Sequence, residues 1–417
     1  MINYYTEQTD FFGNCSPDEL IYTYGSPLYV YNENILRQRC RDMVSPVSYP
    51  HFIPSYSSKA NSNLWLLKII REEGLYADAM SPGEIYTLLK AGFKPHEIFY
   101  IGNNVSKEEM SYAIENNILM SIDSLSQLKS YGEIDPGGSV AVRFNPGIGA
   151  GHHKKVVTAG DETKFGINIR DISKVKELLK RYDLKLVGIN QHIGSLFLDS
   201  DPYLEGAKAL LKVAENFEDL EFIDFGGGFG IPYRKQSGEK PLDLEKLGAE
   251  LTSLMYKWTE NYGKEVLFKA EPGRYIVAES GVLLGSVYSI KENHNTTYIG
   301  TDIGFNVLMR PVLYDAYHDI EIYREGELVP SGRCDREVTI VGNICESGDI
   351  ISHMQKLPPI EIGDIIGVMD AGAYGYSMSS NYNNRLKPAE VLIDSSGNSS
   401  LIRRRDTLDD LLRNFPL

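Results

Sequence analysis

Between about residue 28 and residue 271, short apolar runs alternate with segments whose apolar residues recur at the helical period. The apolar runs lie at 52–57, 76–80, 98–101, 140–145, 186–191, 222–225 and 266–270. The clearest helical segments between them lie at 63–73, 82–91, 172–181 and 203–217. This alternation predicts an α/β fold and fits an eight-stranded (β/α)8 barrel, with a doubly wound open sheet as the alternative.

After Tyr275 the sequence changes to β-branched and aromatic runs separated by turn residues, at 282–290, 297–300, 338–341, 365–369 and 390–393. Such runs are typical of an antiparallel β domain. We therefore predict a barrel over residues 26–275 and a β domain formed by residues 1–25 and 276–417. A short helix is expected over 403–412, with Asp406 or Thr407 near its cap.

Charge and composition exclude several classes of partner. A formal net charge of -15 repels nucleic acid and anionic lipid, so neither is expected as a partner. The chain has neither a signal-peptide pattern at its start nor an apolar stretch of about 20 residues, which predicts a cytoplasmic protein without a membrane span. The four cysteines are scattered along the chain, which predicts neither disulfides nor a metal site.

Lys59 is the first candidate for chemistry, because it follows an apolar strand and precedes a helical segment. Barrel enzymes keep their reactive groups at the carboxyl ends of the strands. A lysine that is partly desolvated there can be a neutral amine and can form a Schiff base with an aldehyde cofactor. Taken alone, however, the residue fits a solvated surface lysine better, since most lysines lie outside the core.

Three further motifs follow strands. Gly226-Gly227-Gly228 offers backbone N–H groups that could surround a phosphate, or it could be only a tight turn. Glu271 could keep a pyridine nitrogen protonated, while Arg274 could bind a phosphate or carboxylate, unless the two form a surface pair. His192 could stack on a flat ring and Ser195 could donate to a phosphate, although a single histidine is often structural.

The C-terminal half carries three stretches rich in glycine and polar residues, which indicates loops shaped around a ligand. They are Arg310-Pro311-Val312-Leu313-Tyr314, Gly342-Asn343-Ile344-Cys345-Glu346-Ser347-Gly348-Asp349, and the segment from Gly372 to Asn383.

In this order along nearly the whole chain, these motifs resemble the fold-type III pyridoxal-5′-phosphate (PLP) decarboxylases, whose barrel is similar to that of alanine racemase. The resemblance implies that Lys59 holds PLP, that His192 stacks on its ring and that Glu271 pairs with the ring nitrogen. The other cofactor contacts that it implies are Asp78, Ser195, Gly227, Gly228, Gly273, Arg274 and Tyr374. Ser57-Ser58 and Leu196 depart from residues common in the family.

Within that family, the Cys-Glu-Ser-Gly-Asp run at 345–349 and Arg310-Pro311 with Tyr314 are similar to the diaminopimelate decarboxylases. The resemblance implies decarboxylation of meso-2,6-diaminopimelate to L-lysine and CO₂, the last step of lysine biosynthesis. It implies a proton donor, Cys345, and substrate contacts by Arg274, Arg310, Tyr314, Glu346 and Tyr374. It also implies a homodimer with shared active sites, in which Cys345 and Glu346 serve the cofactor of the other subunit.

The substrate has an amino-acid group at each end, so the end that does not react needs partners for a carboxylate and an ammonium. Arg310 or Arg274 and Glu346 would supply them. A sister decarboxylase acting on D-ornithine or D-lysine is the main alternative. A non-catalytic PLP-binding protein is disfavoured because such proteins typically lack a β domain. A racemase is disfavoured because it needs a second acid or base on the opposite ring face.

Overall fold

The computed structural model describes residues 4–145, 147 and 163–416 and divides the chain into two compact units. The barrel domain comprises Arg39–Ile231 and Pro241–Tyr275. The sheet domain comprises the chain up to Gln38, Pro232–Lys240 and the chain from Ile276. Residues 26–38, which the predicted boundaries place in the barrel, group with the sheet domain, since β1 (Leu28–Asn32) pairs with strands of that sheet. Residues 232–240 group with it as well.

Eight parallel strands form the barrel. They are β2 (Phe52–Ser57), β3 (Tyr76–Ala79), β4 (Ile98–Tyr100), β5 (Leu119–Ile122), β6 (Ser139–Asn145), β8 (Lys185–Asn190), β9 (Phe222–Asp224) and β10 (Leu267–Ala270), while the short β7 (Ile167–Asn168) pairs with β6. The hydrogen-bonded order is β5-β4-β3-β2-β10-β9-β8-β6, and β5 also pairs with β6. The sheet is therefore closed, which confirms the predicted barrel over the open sheet.

Apolar side chains on these strands fill the barrel domain. One buried cluster joins Phe99, Ile101, Ala141, Val187 and Phe222. Seven of the eight barrel strands coincide with predicted apolar runs. The eighth, β5, was missed although it is no shorter than the predicted β4 and β9.

The helices have ordinary start and stop signals. Ser81 caps α5 by accepting from the Glu84 N–H, Pro82 follows it, and the helix ends at Gly92 in the left-handed conformation. The α-helices are α1 (Tyr5–Gln8), α2 (Pro17–Tyr24), α3 (Glu33–Val44), α4 (Leu64–Glu72), α5 (Pro82–Ala91), α6 (Lys107–Glu115), α7 (Leu125–Ile134), α8 (Ile172–Arg181), α9 (Asp201–Ala214), α10 (Leu244–Tyr262), α11 (Arg274–Val277), α12 (Arg310–Tyr314) and α13 (Leu408–Leu412). None of the helices described here has the length and apolar character of a membrane span.

The sheet domain contains a ten-stranded sheet. Besides β1, its strands are β11 (Gly281–Asn293), β12 (Thr296–Thr301), β13 (Ile320–Arg324), β14 (Glu327–Leu328), β15 (Arg336–Val341), β16 (Ile350–Leu357), β17 (Ile365–Val368), β18 (Ala389–Ile393) and β19 (Ser399–Arg403). The order is β14-β13-β17-β11-β1-β18-β19, and β12, β15 and β16 extend it in turn from β11. The pairs β1–β18 and β12–β15 are parallel and the others are antiparallel. The antiparallel domain is thus confirmed, with two parallel pairs added.

The C-terminal helix begins later than predicted. Residues 399–403 form β19, because they pair with β18 in the register Ile393↔Ser399. The helix itself is α13, and the Thr407 hydroxyl accepts the N–H of Asp410 at its start. The prediction was right about Thr407 and wrong about the start at Arg403.

Candidate active site

Residues at the carboxyl ends of barrel strands form one cluster. Lys59 is half-buried in a 3-10 turn, Ser58–Ala60, that directly follows β2. Asp78 lies on β3, His192 follows β8 and Glu271 follows β10. Because the strands are parallel and neighbouring, these side chains lie at the same end of the barrel.

Three buried carboxyl groups lie in this cluster: Asp78, Asp224 and Glu271. Ser57, one of the residues that depart from the family, donates from its hydroxyl to Oδ2 of Asp78 at 2.7 Å. Burial raises the pKa of Asp78 to about 7 and that of Asp224 to about 6. Burial, with Asp224 and Asp78 nearby, also holds the pKa of Glu271 well above its ordinary value. The cluster therefore favours a cationic partner.

Positively charged side chains on or directly after three barrel strands lie near these acids. Lys59 and Arg143 both act to lower the pKa of Glu271, and Lys269 acts to lower that of Asp224. Burial lowers the pKa of Lys269, whose ammonium lies 4.5 Å from the centre of the Phe222 ring. The sequence analysis missed Arg143 and Lys269. Their signal is a single charge within an otherwise apolar barrel strand, where charges are rare.

His192 is held as a neutral ring. The Gly227 N–H donates to Nδ1 of His192 at 3.1 Å, which leaves the ring proton on Nε2. Burial, together with the positive charges of Lys59 and Arg143, places the pKa of His192 well below its ordinary value. Nδ1 of His192 lies 3.7 Å from Oε2 of Glu271. Because the ring is neutral, this is a polar contact and not an ion pair.

The glycine loop needs its glycines. Gly226 and Gly228 have φ values of +77° and +117°, which side chains disfavour. A Cβ on Gly227 would overlap the carbonyl oxygen of Glu271. The loop is fixed by the Tyr203 hydroxyl, which donates to the Gly226 carbonyl at 2.9 Å, and by Asp224 Oδ1, which accepts the Gly226 N–H at 2.9 Å. This rigid loop of bare backbone can receive a phosphate.

Arg274 and Ser195 meet at the same end of the barrel. Nη2 of the largely buried Arg274 donates to the Ser195 hydroxyl at 3.0 Å. Gly273 packs against the turn that carries Lys59, where a Cβ would lie 2.9 Å from Cβ of Ser57. A guanidinium and a hydroxyl beside a glycine loop are suited to an anionic group.

Arg310 is fixed within the sheet domain. It starts α12, is 2% exposed, and its Nη1 lies 2.7 Å from Nε2 of His318. Because an arginine only donates, Nε2 of His318 is the acceptor of this hydrogen bond. Nδ1 of His318 then carries the ring proton and donates to the Met369 carbonyl at 2.7 Å. The Tyr233 ring lies 4.3 Å from the guanidinium carbon. Tyr314 closes the same helix and is half-buried.

Cys345 and Glu346 lie on an exposed loop of the sheet domain. The Cys345 N–H donates to Oδ1 of Asn383 at 3.0 Å, and the Tyr382 hydroxyl donates to the Glu346 carboxylate. The buried Asp349 carboxylate accepts the N–H groups of Phe305 and Ile344, each at 2.7 Å. The loop therefore has a defined backbone although the side chains of Cys345 and Glu346 are exposed.

The structure thus groups the predicted residues by domain. Those that it brings together at the end of the barrel are Lys59, Asp78, His192, Ser195, Gly227, Gly228, Glu271, Gly273 and Arg274. Those that lie in the sheet domain are Arg310, Tyr314, Cys345, Glu346 and Tyr374. Tyr374 is half-buried and has a φ of +56°, uncommon for a side chain of its size.

Comparison with known proteins identifies the family. The family "Pyridoxal-dependent decarboxylase, pyridoxal binding domain" matches residues 34–278. A diaminopimelate decarboxylase of Methanothermobacter thermautotrophicus is 41% identical over 410 residues, covering 96% of this chain and 94% of that protein. One of Escherichia coli is 35% identical and covers 93% of each. The crystal structure of the Helicobacter pylori diaminopimelate decarboxylase with L-lysine aligns with a TM-score of 0.86 at 32% identity, over 95% of this chain and 98% of that one.

The barrel cluster fits pyridoxal phosphate. It offers an amine on Lys59, a backbone cradle at Gly227 in which a Cβ has no room, and the buried Glu271. Oε1 of Glu271 has no hydrogen-bond partner within the described residues, so a protonated ring nitrogen would satisfy it. The chain belongs to the pyridoxal-dependent decarboxylases and, within them, to the diaminopimelate decarboxylases, which confirms the predicted family, enzyme class and cofactor.

Proposed function

We propose that this enzyme converts meso-2,6-diaminopimelate to L-lysine and CO₂, the last step of lysine biosynthesis. The observation that supports this most strongly is the cluster of Lys59, His192 and Glu271. It lies in a chain that is 41% identical to a diaminopimelate decarboxylase over nearly its full length. The L-lysine in the Helicobacter pylori structure is the expected product and supports the same choice of substrate.

The barrel residues would hold and polarise the cofactor. Lys59 provides the amine that attaches to the cofactor aldehyde, and Gly227, Gly228, Ser195 and Arg274 bind the phosphate. Bound pyridoxal phosphate supplies an electron sink for the pair of electrons left when CO₂ departs. Glu271 keeps the ring nitrogen protonated, because a buried carboxylate with a raised pKa is stabilised by an adjacent cation.

His192 and Asp78 would shape the remaining surroundings. The neutral His192 ring can lie flat on the cofactor without adding positive charge to the site. Asp78, buried beside Lys59 and held by Ser57, balances the charge of the lysine ammonium. The role of Asp78 depends on burial, since water would screen its interaction with the lysine ammonium.

The sheet domain would supply substrate recognition and the final proton. Arg310 binds the distal carboxylate, and Glu346 binds the distal ammonium. His318 limits the rotation of the Arg310 guanidinium, so less entropy is lost when the carboxylate binds. Tyr314 and Tyr374 complete the substrate contacts, with Arg274 also near the reacting end. Cys345 delivers a proton from its thiol to the carbon that lost CO₂.

We infer further that the enzyme is a cytoplasmic homodimer in which each active site contains Cys345 and Glu346 of the other subunit. The exposure of both side chains supports this arrangement, because a proton donor must reach a substrate held elsewhere. A two-fold interface would form two equal sites at once.

The substrate assignment is tested by CO₂ release from meso-diaminopimelate, D-lysine and D-ornithine under identical conditions. D-lysine lacks the distal carboxylate, so the pairing with Arg310 predicts at least a roughly 100-fold preference in kcat/KM for diaminopimelate. Equal kcat/KM values for D-lysine and diaminopimelate would refute the proposed specificity and favour the sister decarboxylase.

A further inference from the structure

We propose that Lys235 is a positioning residue for substrate specificity, because it holds a short segment of the sheet domain against Arg310. The segment, called the clamp segment below, is Pro232–Lys240. It belongs to the sheet domain although the chain before and after it belongs to the barrel domain. The proposal rests on the function proposed above, in which Arg310 recognises the distal carboxylate that diaminopimelate has and D-lysine lacks.

A buried ion cluster anchors the clamp segment. Nζ of Lys235 lies 2.6 Å from each carboxylate oxygen of Asp370 and 3.1 Å from Oε1 of Glu279. Asp370 is fully buried and Glu279 is nearly so. Burial alone would lower the pKa of Lys235, but Asp370 and Glu279 raise it above its ordinary value, so the ammonium is charged. The two acids depend on this cation, because without it they would be buried and uncompensated.

The contacts of the clamp segment adjoin the histidine that orients the proposed substrate arginine. The carbonyl of Met369, the residue before Asp370, accepts from Nδ1 of His318 at 2.7 Å. The residue after His318 is Asp319, whose Oδ2 accepts the N–H of Gln236 at 3.0 Å. The clamp segment is thus bonded to the next residue in the chain after Met369 and after His318. Its anchoring therefore helps to fix the histidine.

Tyr233, which also lies in the clamp segment, contacts Arg310 directly. The centre of its ring is 4.3 Å from the guanidinium carbon, within the range of a cation–π interaction. The same ring meets His318 edge to face, with ring centres 5.3 Å apart. Because Tyr233 is only two residues before Lys235, the ion cluster restrains this ring. Without Lys235 the guanidinium would gain rotational freedom, which a bound carboxylate would then have to remove.

Two ligands that differ by one carboxylate test the proposal. L-lysine, the expected product, keeps the distal carboxylate, whereas cadaverine is the same diamine chain without it. Their dissociation constants are measured on the PLP-loaded enzyme from the absorbance of the bound cofactor. Lys235→Met should weaken L-lysine binding about fivefold and leave cadaverine binding within about twofold of wild type, since one charged side chain loses its fixed position. Lys235→Arg keeps a cation between the two acids and should retain L-lysine binding.

Two further variants guard against a general loss of structure. Lys240→Met is the matched control, because Lys240 is exposed and ends the same segment, and both dissociation constants should keep their wild-type values. Tyr233→Leu removes the ring but leaves the ion cluster intact. It should therefore weaken L-lysine binding selectively, and it tests the clamp independently of whether Lys235→Met folds.

Arg310→Gln separates this proposal from the function on which it rests. If the wild type does not prefer L-lysine to cadaverine, or if Arg310→Gln keeps the preference, the proposed recognition by Arg310 fails, and the role of Lys235 fails with it. If Arg310→Gln loses the preference while Lys235→Met and Tyr233→Leu keep it, only the positioning role is overturned. Equal weakening of both ligands in Lys235→Met would also overturn that role, since the lysine would then support the fold alone.

Discussion

The backbone N–H of Gly227 donates to Nδ1 of His192 at 3.1 Å, so one hydrogen bond fixes both the tautomer of the ring and the position of the glycine loop. The donor is available because Gly227 has no side chain, and a Cβ there would overlap the Glu271 carbonyl. The proposed phosphate cradle and the histidine proposed to stack on the ring are therefore coupled through a single residue.

Gly227→Ala should lose PLP and stability together. The overlap with the Glu271 carbonyl must move either the loop or the strand end, at about 1 to 3 kcal/mol of folding free energy. Gly83→Ala is the matched control, since its Cβ would meet nothing nearer than 3.7 Å. PLP absorbance after dialysis and urea unfolding measure the two effects. Full PLP retention in Gly227→Ala would show that the loop does not form the cradle.

Glu271→Gln should retain PLP but lose most activity. The amide cannot stabilise a protonated ring nitrogen as a carboxylate does, so kcat should fall roughly 100-fold. Glu265→Gln changes a carboxylate that is 78% exposed and should leave kcat unchanged. Steady-state kinetics at saturating PLP makes the comparison. A kcat within twofold of wild type would exclude Glu271 as the partner of the ring.

Asp78 should make the PLP-free protein less stable as pH rises. Its pKa is raised from 3.8 to about 7, so the folded state holds the proton more tightly than the unfolded state between these values. The stability that this proton contributes is present below about pH 4 and is lost as pH rises to about 7, by up to about 4 kcal/mol.

Asp78→Asn removes this pH-dependent contribution to the free energy of unfolding. Asp183→Asn changes an exposed acid and should leave that contribution in place. Urea unfolding across that pH range should therefore show a smaller loss of stability in Asp78→Asn than in wild type. If stability changes with pH by the same amount in Asp78→Asn and in the wild type, the raised pKa of Asp78 is contradicted.

The barrel was predictable because its strands are mainly apolar and its helices carry clear caps, as β4 and α5 illustrate. Two other elements were not. β1 has the same apolar character as a barrel strand, and only its pairing with β11 and β18 assigns it to the other sheet. Residues 399–403 pair with the neighbouring β18 as a hairpin, and the turn between the two strands, in which the Gly397 N–H donates to the Asp394 carbonyl, is a signal that the expected helix over 403–412 overlooked.

For the candidate site, the family motifs supplied the proposed residues but not their electrostatic setting. Arg143 and Lys269 each stand as a single charge in a barrel strand, but only the closed barrel brings them to the buried acids Asp224 and Glu271. Ser57 entered the sequence analysis only as a departure from the family, and the structure gives it a hydrogen bond to Asp78. Such effects depend on distances across strands that spacing along the chain does not reveal.

Mixing two inactive variants tests the shared sites of the proposed dimer. Lys59→Ala removes the proposed cofactor lysine and Cys345→Ala removes the proposed proton donor, so a hybrid dimer should regain one intact site. Random exchange makes half of the dimers hybrid, and activity should recover to about one quarter of wild type. Subunit exchange is verified separately with differently tagged chains. No recovery despite exchange would place each site within a single chain.

The most direct test of the whole account is the balance of products from meso-diaminopimelate with the PLP-loaded enzyme. We expect CO₂ and L-lysine in equal amounts from the wild-type protein and neither from Lys59→Ala, because Lys59 is the residue proposed to hold the cofactor. Undiminished CO₂ and L-lysine production by Lys59→Ala, or a wild-type protein that consumes diaminopimelate without releasing CO₂, would contradict it.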